Sequence, residues 1–209
     1  MTEQMLDALR LDMEKDMSPK RFRHTAEVEK MAVRLGELYF GNDSEMLMKL
    51  RAAALLHDMT KEYSSETHIF IMEKKGLPVE REDKLAPKTF HARTAAALIP
   101  DQYPQLACPE VISAVRYHTT GRAGMTLMEK IIYLADYIDM SRTFADCVTL
   151  RDYFFGKDVK NMTEQERLRH LDETLILSFD MTVKGLIEEG RVVSADTFAA
   201  RNYLISSIS

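Results

Sequence analysis

Apolar residues recur three and four positions apart along most of this chain, and no segment keeps the strict alternation of a half-buried strand. That spacing gathers side chains on one helix face, so the expected fold class is all-α. Gly and Pro are scarce, 8 and 6, and fall mostly between the periodic stretches. A first helix is expected over residues 3–16. Ser18-Pro19 reads as an N-cap followed by a first-turn proline. The next helix carries Val28, Met31, Ala32, Leu35 and Leu38 on one stripe and stops at Gly41. Further helices are expected over 44–58, 64–75, 89–98, 110–118 and 126–140. Thr163 and Glu166 form a capping box for a long helix reaching residue 189, and Ser194 caps a last one. No repeat or linker divides the chain. It is expected to be a single domain over 1–209, a helical bundle with its core at about 18–145 and C-terminal helices at about 163–207 packed on it.

Hydrophobic residues make up 45 % of the 209 residues, enough for a sizeable core. A formal net charge of −5 argues against a nucleic-acid partner, which calls for a basic surface. A small phosphate ligand needs only a local group of cations. Cys108 and Cys147 form no CxxC pair and read as reduced thiols of a cytoplasmic protein. Residues 1–17 are acidic and amphipathic, unlike a signal peptide. No apolar run approaches the ~20 residues of a membrane span. The apolar segment 198–208 leaves two partners open, its own domain or a twin chain in a homodimer.

The histidines carry the chemistry. His24 lies four residues before Val28, in line with that stripe. His57 continues Leu50, Ala53 and Ala54; His91 precedes Ala95 and Leu98; His118 completes Val111, Ala114 and Val115. Four histidines therefore fall on the inward faces of four helices. One buried histidine is ordinarily a hydrogen-bonded core residue. Burying several unpaired rings is costly, and a shared metal or anion would satisfy them together. His68, in a polar stretch, and His170, beside Arg169, are read as solvated.

Carboxylates complete the pattern. Asp58 ends the run Ala52-Ala53-Ala54-Leu55-Leu56-His57-Asp58, and Asp136 interrupts the apolar run from Ile131 to Ile138. A carboxylate so placed wants a cation. Asp139, nearer the helix end, is the rival to Asp136. A mixed imidazole and carboxylate set suits iron, manganese or zinc better than calcium or magnesium. His118-Thr119-Thr120-Gly121-Arg122 offers hydroxyls, a flexible glycine and a guanidinium, a candidate oxyanion pocket. Lys61 and Arg142 follow Asp58 and Asp136 closely, placing cations where a phosphate ester or anhydride would lie.

The pattern His24, His57-Asp58, Asp136 resembles the HD superfamily of metal-dependent phosphohydrolases. The segment from His118 to Arg122, with Met125 to Ile138 and then Arg142, is similar to its YqeK branch, and the likeness runs from about 18 to 190. The resemblance implies an HD-domain bundle and a symmetrical bis(5′-nucleosyl)-tetraphosphatase. Such an enzyme cuts diadenosine tetraphosphate to two ADP by attack of a metal-bound water on the phosphate bridge. It implies iron, with manganese as the alternative, held by His24, His57, Asp58 and Asp136. Asp58, Lys61 and His91 would take the catalytic part. His24, Lys61, His91, His118, Thr119 and Arg142 would face the nucleotide's phosphates. Other superfamily enzymes hold a second metal on the counterparts of His91 and His118, so that use of the pair is the competing expectation. Phe144, Tyr137 and Tyr117 are candidates to stack on a base. Met59-Thr60 and the segment from His91 to Ala95, without a glycine after the histidine, depart from the branch pattern.

Three other readings follow from the same residues. One is an HD enzyme acting on another nucleotide phosphoester, separable by its products. The second is a nucleotide-sensing module that keeps its metal without turnover. The third is a helical interaction protein with coincidental histidines, against which the full ligand set counts.

Overall fold

A computed structural model describes residues 1–208, and among these every regular element is helical. The helices are α1 (Glu3–Asp16), α2 (Pro19–Phe40), α3 (Ser44–Leu56), α4 (Ser65–Lys74), α5 (Arg81–Leu85), α6 (Phe90–Gln102), α7 (Pro109–Tyr117), α8 (Leu127–Ile138), α9 (Ala145–Phe155), α10 (Glu164–Glu188) and α11 (Ala195–Ile208). The all-α expectation holds. Ser18 accepts from the Arg21 backbone N–H, and Thr163 and Glu166 make their reciprocal cap. α3 is shorter than expected, with His57 as its C-cap, so the His57-Asp58 pair stands on the turn just beyond. α6 is longer, continuing through Pro100 to Gln102. α5 and α9 were not expected.

α3 lies at the centre. Leu50 and the run Ala52 to Leu56 are fully buried, which suits a helix packed on several sides. It is flanked by α2, α7, α8 and α1. Gly36 lets α2 come close: a Cβ there would stand 2.4 Å from Leu50 Cδ1. The buried Glu29 of α2 meets Arg51 of α3 at 2.9 Å and pairs with Arg10 of α1, fastening the three helices.

α10 packs along α9 and against α8, and α11 folds back on α10. This places Phe179 and Ala200 beneath Gly121, in the connection between α7 and α8. The C-terminal pair thus supports the loop that follows His118. α11 buries Thr197, Ala200 and Leu204 within its own chain and leaves Phe198 and Tyr203 exposed. No helix among the described residues is long and apolar enough to cross a membrane.

Candidate active site

Five elements deliver one cluster of side chains. α2 brings Arg21 and His24; the turn after α3 brings His57, Asp58 and Lys61; α6 brings His91. The end of α7 brings His118 and Thr119, and α8 with the loop after it brings Asp136, Asp139 and Arg142. All four histidines and Asp58 are buried.

His57 and His118 are both C-caps, and each Nδ1–H donates to a carbonyl three residues back. The distances are 2.6 Å to Ala54 O and 2.7 Å to Val115 O. That bond leaves Nε2 of each ring as the outward atom. His57 Nε2 is 3.4 Å from Asp58 Oδ2 and 3.7 Å from Asp136 Oδ1. His24 Nε2 stands 2.9 Å from Asp136 Oδ1 without hydrogen-bond alignment. Asp139 Oδ2 lies 3.2 Å from the other ring nitrogen of His24, its Nδ1, and Ser141 Oγ lies 3.4 Å from it. Asp139 thus stands behind His24 and orients it, as carboxylates do for metal-binding histidines.

The site's own bonding tests whether a cation fits. His24 Nε2, His57 Nε2 and Asp58 Oδ1 are buried with no hydrogen-bond partner. Three burdened acceptors at one point are expensive unless something positive sits among them. One ligand atom from each of His24, His57 and Asp136 lies within 4.8 Å of the others, as does one from each of His57, Asp58 and His118. Imidazole nitrogens mixed with carboxylate oxygens suit a transition metal. The donor set fits.

Cations rim the cluster on two sides. Arg21 Nη1 is 2.5 Å from Asp58 Oδ2, and Arg142 Nη2 is 2.5 Å from Asp136 Oδ1. Lys61 Nζ is 3.0 Å from His91 Nε2 and 3.8 Å from Asp58 Oδ1. His91 Nε2 is in turn 3.0 Å from His118 Nε2 and 3.1 Å from Thr119 Oγ1. Burial lowers Lys61, His91 and His118, and the Lys61 ammonium adds to the depression of His91, so both rings are neutral donors or acceptors. Burial pushes Asp58 and Asp136 up, but the positive groups beside them win and hold both well below the usual carboxylate range. Burial likewise pulls His24 down, and the close carboxylates of Asp136 and Asp139 more than reverse it, to about 9, so a metal bound at Nε2 would displace a proton from this ring. The carboxylates therefore stay anionic, as metal ligation requires.

The structure brings His24, His57, Asp58, Lys61, His91, His118, Thr119, Asp136 and Arg142 into one cluster. It does not bring Arg122, which turns away to Glu129 at 3.1 Å. Nor are His68 and His170 solvated, as the sequence implied. His68 is buried with Nδ1 2.9 Å from Thr94 Oγ1, and His170 is buried with Nε2 3.0 Å from Phe154 O. His68 shares a stripe with Met72 that packs on α6, and His170 faces α9, the helix that its polar neighbours gave no reason to expect. Sequence reasoning missed Arg21, although it precedes His24 by one helical turn. It also missed Thr60, whose hydroxyl donates to His91 O at 2.9 Å and meets Thr94 Oγ1 at 2.9 Å.

The HD domain family model matches residues 21–141. Three curated relatives are named symmetrical bis(5′-nucleosyl)-tetraphosphatase. The Bacillus subtilis protein is 32 % identical over 93 % of this chain and 94 % of its own. The Staphylococcus aureus protein is 31 % identical over 94 % and 92 %, and that of Halalkalibacterium halodurans 30 % identical over 90 % and 91 %. A solved structure from Clostridium acetobutylicum, described as a predicted HD superfamily hydrolase involved in NAD metabolism, superposes with a TM-score of 0.81. It is 32 % identical and covers 96 % of this chain and 97 % of that one.

Proposed function

This chain belongs to the HD-domain family, and we propose that it is a cytoplasmic symmetrical bis(5′-nucleosyl)-tetraphosphatase that hydrolyses diadenosine tetraphosphate to two ADP. The observation that carries this reading is the meeting of two groups. Unpartnered Asp58 Oδ1 lies 3.8 Å from Lys61, and Asp136 Oδ1, 2.9 Å from unpartnered His24 Nε2, also holds Arg142. Metal-seeking donors next to phosphate-seeking cations are what a polyphosphate hydrolase needs. The curated relatives, similar over nearly their whole length, supply the substrate.

His24, His57, Asp58 and Asp136 would hold the metal, iron or alternatively manganese. A metal there supplies Lewis acidity, polarising a phosphoryl oxygen and bringing water's pKa toward neutrality. The remaining work falls to the chain. Asp58, held anionic, keeps Oδ1 free to accept a hydrogen bond from the attacking water and so to aim it. Lys61, His91 and Thr119 face one side of the phosphate bridge with donors a few ångströms apart, and His118 Nε2, an acceptor while its Nδ1–H bonds to Val115 O, lies within 3.1 Å of the last two and positions them. Arg142 faces it from the other side. Together they neutralise charge that builds on the bridge and on the departing ADP, which is most of what phosphoryl transfer demands. His91 and His118 serve phosphate rather than a second metal in this reading. The ammonium of Lys61, 3.0 Å from His91 Nε2, would repel a further cation there.

Chromatography of the products from diadenosine tetraphosphate tests the proposal. ADP alone is expected; ATP with AMP, or free phosphate, would overturn it. Asp58→Ala should lose both metal and turnover, and a metal-replete, active variant counts against the assignment.

A further inference from the structure

Two cavities open off the phosphate-facing side of the cluster. The larger, about 250 Å³, is lined by Lys61, Tyr63, Ser65, His68, Lys88 and His91. The smaller, about 190 Å³, begins at Thr119 and Thr120, runs to Thr197 and shares Lys88. We propose that the larger cavity is the subsite for the second nucleotide of a dinucleotide substrate, with Tyr63 the platform for its base and Lys88 the cation for its phosphates. The proposal rests on the tetraphosphatase reading.

The cavity takes two of its walls, Lys61 and His91, from the cluster itself. A polyphosphate chain leaving the metal ligands therefore enters it without losing contact with cations. Its volume lies below the ~300 Å³ at which pockets for whole ligands begin, so it suits one end of a long ligand. Tyr63 is 43 % exposed, and its ring centroid is 6.0 Å from that of His68 at 36°. A half-exposed aromatic ring beside cations is what single bases stack on. Lys88 is exposed and makes no ion pair among the described residues, so its charge is free for a phosphate. The smaller cavity has no aromatic ring, and its other cation, Arg191, meets Glu189 at 3.3 Å.

The test is calorimetric binding of the β,γ-methylene analogue of diadenosine tetraphosphate, which does not turn over, and of ADP, to the metal-loaded protein. Tyr63→Ala and Lys88→Ala should each weaken the analogue by about tenfold, the loss of one stacked base or one phosphate contact. Both should bind ADP as the wild type does. An 8-azidoadenosine form of the analogue should crosslink to the peptide containing Tyr63. Equal weakening of analogue and ADP, or no weakening of either, overturns the assignment. So does crosslinking to the peptide containing Leu186, in the smaller cavity. Wild-type turnover of diadenosine tetraphosphate is measured in parallel. If the wild type yields ADP while the variants fail these criteria, only the subsite is wrong; if it yields none, the tetraphosphatase reading has failed and the subsite with it.

Discussion

Asp139 shows how a neighbouring carboxylate can set the behaviour of His24, the ligand proposed for the metal. It is fully buried, and Ser141 donates to it at 2.8 Å through the backbone. That fixes its other oxygen against His24. Asp139→Asn keeps the volume and removes the charge, so metal affinity should fall by roughly 10–100-fold. A metal titration checks this; an unchanged dissociation constant would show that His24 needs no such support. At this scale the sequence was readable where a polar residue interrupts an apolar stripe, as at His24, His57, His91, His118 and Asp136. It was misleading for His68 and His170, where polar neighbours along the chain hid an inward direction. Arg21 was invisible because an exposed and a site-facing arginine look alike until the partner, Asp58, is placed across from it.

The connection between α7 and α8 illustrates how elements hold the site. Gly121 sits at φ +65°, and a Cβ on it would meet Phe179 at 2.7 Å and Ala200 at 2.9 Å. Both come from the C-terminal helices. Gly121→Ala combines left-handed strain with overpacking and should cost about 2–4 kcal/mol. It should also displace Thr119 and His118, lowering turnover; denaturant unfolding and kinetics on one preparation check both effects. Helices with caps and stripes, such as α2, α8 and α10, declare themselves in the sequence. α9 does not, since Ala145, Val148, Leu150, Tyr153, Phe154 and Phe155 surround it with apolar groups and mark no single face. Its position depends on α10 and α8, which local sequence cannot report.

For the whole molecule, metal and fold are linked. A ligand present at a hundred times its dissociation constant adds about 2.7 kcal/mol to stability. Stripping the metal with a chelator should therefore lower the unfolding midpoint by roughly 5–10 °C for a chain of this size. Asp58→Ala should show no such response. Acid acts elsewhere. Burial lowers the pKa of His68 and His170 from 6.5, so both stay neutral in the folded chain when the unfolded chain has begun to bind protons. The contribution of these two rings to stability is then full above about pH 6.5 and declines as pH falls below it. His170→Gln, which can still donate to Phe154 O, should flatten part of that decline; identical pH–stability curves would refute it. The two capping histidines carry a last consequence. Because each fixes its own tautomer on a carbonyl three residues earlier, the choice of ring proton is made within four consecutive residues, before any other helix arrives. Assembly of the site is then a matter of docking prepared helix ends, and such an end is a portable unit, an imidazole of fixed tautomer ready for another helical scaffold.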